Sequence, residues 1–534
     1  MIASAQHTAR TMAGIDPYTG SWTQTEVLHL LRRTMFGATK SDIDYFLSKN
    51  MSDSVDELLT PSSFKPSPPV NNYNNGRVTD PDIALGDTWV NGPTNVALNN
   101  ARIGSLRAWW YGQMLDQDRS ILEKMTLFWH NHFATETQVY RDPIFGYNHQ
   151  QLLRENSLGD FKNLVKLMTI DPAILVYLNG EKNTNRAPDE NYARELQELF
   201  TLGKGEDSKY TETDVQQAAR VLTGWRVNRT NYTSYFNPNL HDTNDKTFSS
   251  FFNNKKIVGQ TGASGANELD DMLDMIFLET EVSKFMCRKL YRWFVYYEID
   301  AAAETNVIEP LALIFRNNNY QIKPVLEALF KSQHFFDTIN QGCLIKSPVD
   351  YSVGIMRQNG VEFPPATEVV EQYYMWTIVG QVCALQQQNV GDPPNVAGWP
   401  AYYQKPQYHE IWINTDTLPK RNLISDIMVL TGYTRNGQTI VVDPIKVAEM
   451  FDKPGDAATL VEDMVDYFYT LDISSDQKEY MRSFLLSGQA AAYWTDAWDA
   501  YKADPNNATL KNVVRLRVQG LVKYIMNLAE FQLS

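Results

Sequence analysis

Apolar residues recur at three- and four-residue spacings along most of the chain, bracketed by helix start and stop signals. Thr23-Gln-Thr-Glu26 forms a capping box ahead of Val27, Leu28, Leu30, Leu31 and Met35, and Gly37 ends that helix. A second helix starts at Ser41. Further helical patterns run from Ala97 to Leu115 and from Ser120 to Phe133, and Asp171-Pro172 supplies an N-cap and first turn for Ala173 to Leu178. One helix begins after Pro188 and stops at Gly203, and the next opens at Thr211 with Asp214 and ends at Gly224-Trp225. Others are expected at about 267–278 and 281–297, from Lys323-Pro324 to His334, from Ser347-Pro348 to Gly360, and after Asp443-Pro444. The last three lie at about 474–487, 490–502 and 508–530.

Between these patterns lie three stretches without helical period. Residues 60–82 hold prolines 61, 66, 68, 69 and 81 and an asparagine-rich run, which excludes a helix or central strand. Residues 226–258 are rich in Asn, Thr, Tyr and Phe and read as a loop with one small hairpin. Residues 389–414 are dense in Pro, Gly and aromatics, and Gly398 and Trp399 suit an ordered loop that turns and anchors there. Asn436-Gly437 marks a second short hairpin. The expected fold is mainly α: a large, bundle-like single body over 1–534, with long ordered loops and at most one or two short hairpins. A division into lobes 1–360 and 361–534 is the variant of that arrangement.

Composition narrows the partners. A formal charge of −15 with a pI near 5.1 argues against nucleic acid, which needs a basic footprint. Cys287, Cys343 and Cys383 lie far apart with no CxxC, so neither a zinc ribbon nor a disulfide framework is indicated. Residues 1–10 lack a basic segment followed by an apolar one, and no stretch reaches the roughly 18 apolar residues of a membrane span. A soluble cytoplasmic chain is expected, or an exported one if a leader has been trimmed.

Candidate chemistry centres on the helix after Pro188. At about 100° per residue, Asn191, Glu195 and Glu198 share one stripe beside an apolar face of Tyr192, Leu196, Leu199 and Phe200. Two readings stand: a solvated face with Glu190/Arg194 and Arg194/Glu198 pairs, or a polar site against the core. Histidines for such a site come from Trp129-His130-Asn131-His132, and a further donor pair from His241-Asp242. In a regular helix His130 and His132 point about 200° apart and cannot share a metal; in an extended chain they share a side. Imidazole and carboxylate donors together suit one divalent first-row metal ion, with His130, His132, His241 and Asp242 as ligands and Glu195 and Glu198 as catalytic groups. Without metal, the two glutamates form an acid and base pair; without chemistry, the whole set is a structural polar network. Tryptophans 109, 110, 225, 376, 399 and 412 allow sugar stacking, though such residues also build cores. No GxSxG elbow, Walker loop or dinucleotide fingerprint is present.

Several long motifs agree with one family. His29-Leu-Leu-Arg-Arg-Thr-Met-Phe-Gly37, Phe128-Trp-His-Asn-His-Phe133, Asn191 to Gly203, His241-Asp242 with Lys246, Pro393-Pro-Asn-Val-Ala-Gly-Trp399 and the closing Ala529-Glu-Phe-Gln-Leu resemble the bacterial domain of unknown function 1800. The resemblance implies a mostly helical bacterial protein, with relatives that look exported and are often encoded near a phosphatase- and sulfatase-like family. It supplies no reaction. The expectation is therefore a metal-assisted hydrolase whose Glu195 and Glu198 face His130 or His132, with His241-Asp242 closing the pocket and Asn191, Asn395 and Trp399 binding. The alternative is a non-catalytic helical scaffold that binds a protein or glycan through its aromatic loops.

Overall fold

The first helix, Gln24–Thr34, starts where the Glu26 carboxylate accepts the Thr23 N–H at 3.0 Å, and every residue from Val27 to Thr34 is buried. The structure is a computed structural model that describes residues 11–74 and 76–534; Asn75 and residues 1–10, read above as lacking a leader, lie outside them. Side-chain caps set other helix starts as the sequence requires. Asp171 Oδ2 accepts the Ile174 N–H at 3.0 Å ahead of Pro172–Tyr177, and Ser347 Oγ accepts the Asp350 N–H at 3.1 Å ahead of Pro348–Gln358.

Helices make up 58% of the described residues, and the chain is mainly α. Among the described residues there are three two-stranded antiparallel hairpins rather than one or two. Trp225–Asn228 pairs with Thr233–Phe236, Lys246–Thr247 with Lys256–Ile257, and Tyr433–Arg435 with Gln438–Ile440. Stretch 226–258 thus holds two hairpins, each too short for alternation of apolar residues to register in the sequence. The sequence pattern also passes over Val369–Leu385, whose apolar residues lie all around the helix instead of on one side. That helix packs along Asn99–Leu115, where Gly112 admits the Trp376 ring: a Cβ there would lie 2.8 Å from it.

The helix after Pro188 departs most from expectation. It is α-helical over Glu190–Glu195 and widens to a π-helix over Leu196–Thr201, where Leu202 N–H donates to Gln197 O at 2.9 Å. A uniform wheel therefore fails beyond Glu195. One contiguous set of buried apolar side chains runs from Val27 to Phe531, with Trp89, Trp110, Trp129, Trp399 and Trp494 at its heart. The proline-rich loop is closed by a buried ion pair, Arg102 Nη2 to Asp80 Oδ2 at 2.8 Å. No helix among the described residues is long and apolar enough to cross a membrane.

Candidate functional site

The histidine motif ends a regular helix, Leu122–His132, so His130 and His132 leave it in different directions. His132 Nε2–H donates to Phe200 O at 3.1 Å, and its Nδ1 accepts from Lys289 Nζ at 2.8 Å. Lys289 also donates to Leu199 O at 3.2 Å. These carbonyls end the π-helix, where backbone acceptors lack partners of their own, so His132 and Lys289 cap it. The histidine meets the helix's backbone and not its carboxylates. Burial, and then Arg292, brings the Lys289 ammonium down to about 7.

His130 sits edge-on to Trp110 and Trp399, and its Nε2 accepts the Gly391 N–H at 3.1 Å. Burial, followed by His149 and Arg107, lowers its pKa to about 3, so the ring stays neutral. Next to it, Asn131 Oδ1 accepts the Trp399 N–H at 2.9 Å. Gly398, at φ +86°, lies so close to Asn131 that a Cβ would overlap its Oδ1 and carbonyl oxygen. Trp399 is only 1% exposed, and Asn395, exposed, bonds to the Tyr403 hydroxyl at 2.9 Å. The motif thus serves to clamp the aromatic loop onto the helical body.

His241 belongs to a third place. Its ring nitrogens face Thr223 O at 2.9 Å and Glu268 Oε1 at 3.0 Å, and Glu268 Oε2 takes Lys246 Nζ at 2.5 Å. Burial opposes the Glu268 charge, but the bonds from His241, Lys246 and the Gln260 N–H outweigh it and hold the carboxyl low. Asp242 is engaged by Arg220 through two bonds of 2.8 and 3.2 Å. The sequence reading missed Glu268; its signal is an acid in the first turn of the helix that follows the His241 to Lys246 loop.

The predicted metal set of His130, His132, His241 and Asp242 is therefore not assembled. Each ring bonds a different partner, and no group of three or more His, Cys, Asp or Glu side chains among the described residues is arranged to hold a metal ion. Asn191 is exposed and donates to Leu178 O at 3.2 Å. Glu198 pairs with Lys204 and, at 4.0 Å, with Arg194. Glu195 is half-buried, and burial together with Glu198 raises its carboxyl pKa.

Buried polar groups do converge elsewhere, around a cavity of about 40 Å³. Arg32 and Arg33 reach it from the first helix, Arg292 and Trp293 from the end of Thr280–Phe294, and Tyr402, Tyr408 and Trp412 from the aromatic loop. Ser347 and Asp350 bring the first turn of Pro348–Gln358 to its wall, and Ser534 closes a side by pairing with Leu344. The aromatic walls pack ring against ring at a tilt: Trp293 on Tyr402 at 4.2 Å, Tyr297 on Tyr408 at 5.2 Å. The first helix's arginines bond carbonyls at the ends of other helical segments, Arg32 to Tyr467 O at 2.7 Å and Arg33 to Asn340 O at 3.0 Å. One guanidinium nitrogen of each suffices for that. Larger hollows, about 250 Å³ beside Asp466 and about 440 Å³ beside Asp118, are open and bring exposed polar groups together. The signal for the cavity in the sequence is Arg32-Arg33 in the last turn of a helix whose Val27, Leu28, Leu30 and Leu31 are apolar.

A protein-family model described as a protein of unknown function, DUF1800, matches residues 29–533. No curated protein and no solved structure matches the chain.

Proposed function

The chain belongs to the DUF1800 family, and from that premise we propose that it works as a helical scaffold that binds a ligand in the cavity walled by its aromatic loop. What supports the reading is one observation: five segments distant in sequence meet there, and each brings a buried polar or aromatic side chain, Arg32, Lys124, Trp293, Ser347 and Trp412. Small-molecule sites have this character, with apolar walls and a few placed polar groups. A thermal-shift screen over small anions, small carboxylic acids and small neutral polar molecules tests it. At least one class should raise the melting temperature, and Tyr297→Ala, at the half-exposed rim, should abolish the shift. Shifts that are unchanged in that variant would count against the reading.

A second reading rests on Glu195. Its carboxyl is raised by burial and by Glu198, while Glu198 is ion-paired, the division of labour of a metal-free acid and base pair. Hydrolysis of a glycoside or ester that Glu195→Gln reduces at least a hundredfold, with folding intact, would favour it.

A further inference from the structure

The cavity between the first helix and the aromatic loop has an excess of donors over acceptors. Arg32 is 4% exposed and Arg33 2%, and in both Nε and Nη1 have no hydrogen-bond partner. Trp293 Nε1, buried on the facing wall, has none either. These are N–H groups, and guanidinium and indole nitrogens only donate. None of Arg32, Arg33 or Arg292 is paired with a carboxylate among the described residues, and Asp350, which also lines the cavity, is taken by Lys124. Behind the wall, Lys346 donates to Phe531 O at 2.6 Å and Arg421 to Lys346 O at 2.9 Å, two further buried basic groups without a carboxylate. Burial brings the Arg32 guanidinium down to about 10, and burial followed by Arg32 pushes the Lys346 ammonium well below its usual range. In a chain of net charge −15 this is not a general basic surplus.

Buried charge without a counter-ion is costly, and unsatisfied buried donors are rare enough to need a reason. An anion in the cavity supplies both the charge and the acceptors. Its shape follows from the donors. A planar carboxylate fits one guanidinium fork in one plane, whereas here two successive arginines, about 100° apart on their helix, and an indole on the opposite wall supply donors from several directions. The volume is also selective: at roughly 10–15 Å³ per water, about 40 Å³ holds a few waters or one small ion, and nothing of sugar size.

We infer that this cavity takes a single tetrahedral oxyanion, phosphate or sulfate, free or as the terminal group of a monoester held by Arg32, Arg33, Arg292 and Trp293. The inference rests on the binding role proposed above and gives its ligand class. Half-exposed Tyr297 and Arg292 form the rim through which the rest of a monoester leaves.

Titration calorimetry on the full chain in low-chloride buffer, with inorganic phosphate, sulfate, glycerol 3-phosphate and acetate, tests it. Phosphate or sulfate should bind saturably at one site and weaken as salt rises, with acetate at least tenfold weaker. Arg33→Gln should abolish binding. Arg292→Gln, at the less buried position, should weaken it at least tenfold without changing the melting temperature, so the test holds even if the first variant fails to fold. Lys511→Gln, on an exposed face, should bind as the parent does. Tighter binding of glycerol 3-phosphate than of phosphate assigns the monoester, and the reverse assigns the free ion. Binding that both arginine variants retain, or acetate equal to phosphate, overturns the inference. If every oxyanion fails while a neutral ligand still binds in a Tyr297-dependent way, the inference falls and the binding role stands; if no class binds, both fall.

Discussion

His29, His130 and His132 are buried, and burial lowers the proton affinity of all three, His130 to about 3. Unfolded, each has an ordinary pKa near 6.5. Between those values the unfolded chain binds more protons than the folded one, so stability falls as pH drops below about 6.5. Melting temperatures from pH 7.5 to 5 should decline, and His130→Asn should flatten the decline; a flat profile in the parent would contradict the assignment. The His241, Glu268 and Lys246 cluster has the opposite charge logic. Glu268→Gln leaves two buried basic groups without their carboxylate and should cost about 3–5 kcal/mol in urea unfolding. A loss under about 1 kcal/mol would mean the cluster is hydrated or dispensable. Individual residues were legible as unusual in the sequence, but their partners were not. His132 stands out because it is polar in a core helix, yet it binds a backbone carbonyl of the π-helix, and backbone groups carry no mark in a sequence. Glu195 was legible as a candidate for the same reason, and its helix's change of pitch hid where Glu198 points.

Among the elements, the capped helices were the most legible, because a Ser, Thr or Asp ahead of an apolar period is a local signal. Val369–Leu385 was not, since apolar residues on all its sides leave no period to read. The loop from 389 to 414 was legible as ordered through Gly398 and Trp399; its clamp, His130 and Asn131, is more than 250 residues away in sequence. Gly398→Ala should test that clamp. A side chain at φ +86° pressed against Asn131 combines strain with overlap and should cost about 2–3 kcal/mol. Because the loop walls the cavity, the variant should also weaken ligand binding, measured by calorimetry alongside the urea curve. A stability unchanged from the parent would show that the loop is not clamped as described.

For the whole molecule we propose that residues 1–360 and 361–534 unfold as one unit. Leu344 and Ser534 exchange backbone hydrogen bonds of 3.3 and 2.8 Å, Lys346 N–H donates to Gln532 O at 2.8 Å, and the first helix holds Tyr467 O through Arg32. Tryptophan fluorescence and far-ultraviolet dichroism should therefore give one coincident urea transition, and two separated transitions would restore the lobes. The same long-range crossings bring Arg32, Arg33, Trp293, the aromatic loop and Ser534 around one cavity, which no local pattern announces. That convergence is the central claim, and anomalous diffraction from a crystal soaked in tungstate, a heavy tetrahedral oxyanion, tests it most directly. The account predicts a strong peak within hydrogen-bond distance of Arg32, Arg33 and Trp293; peaks confined to surface lysines, with none in the cavity, would contradict it.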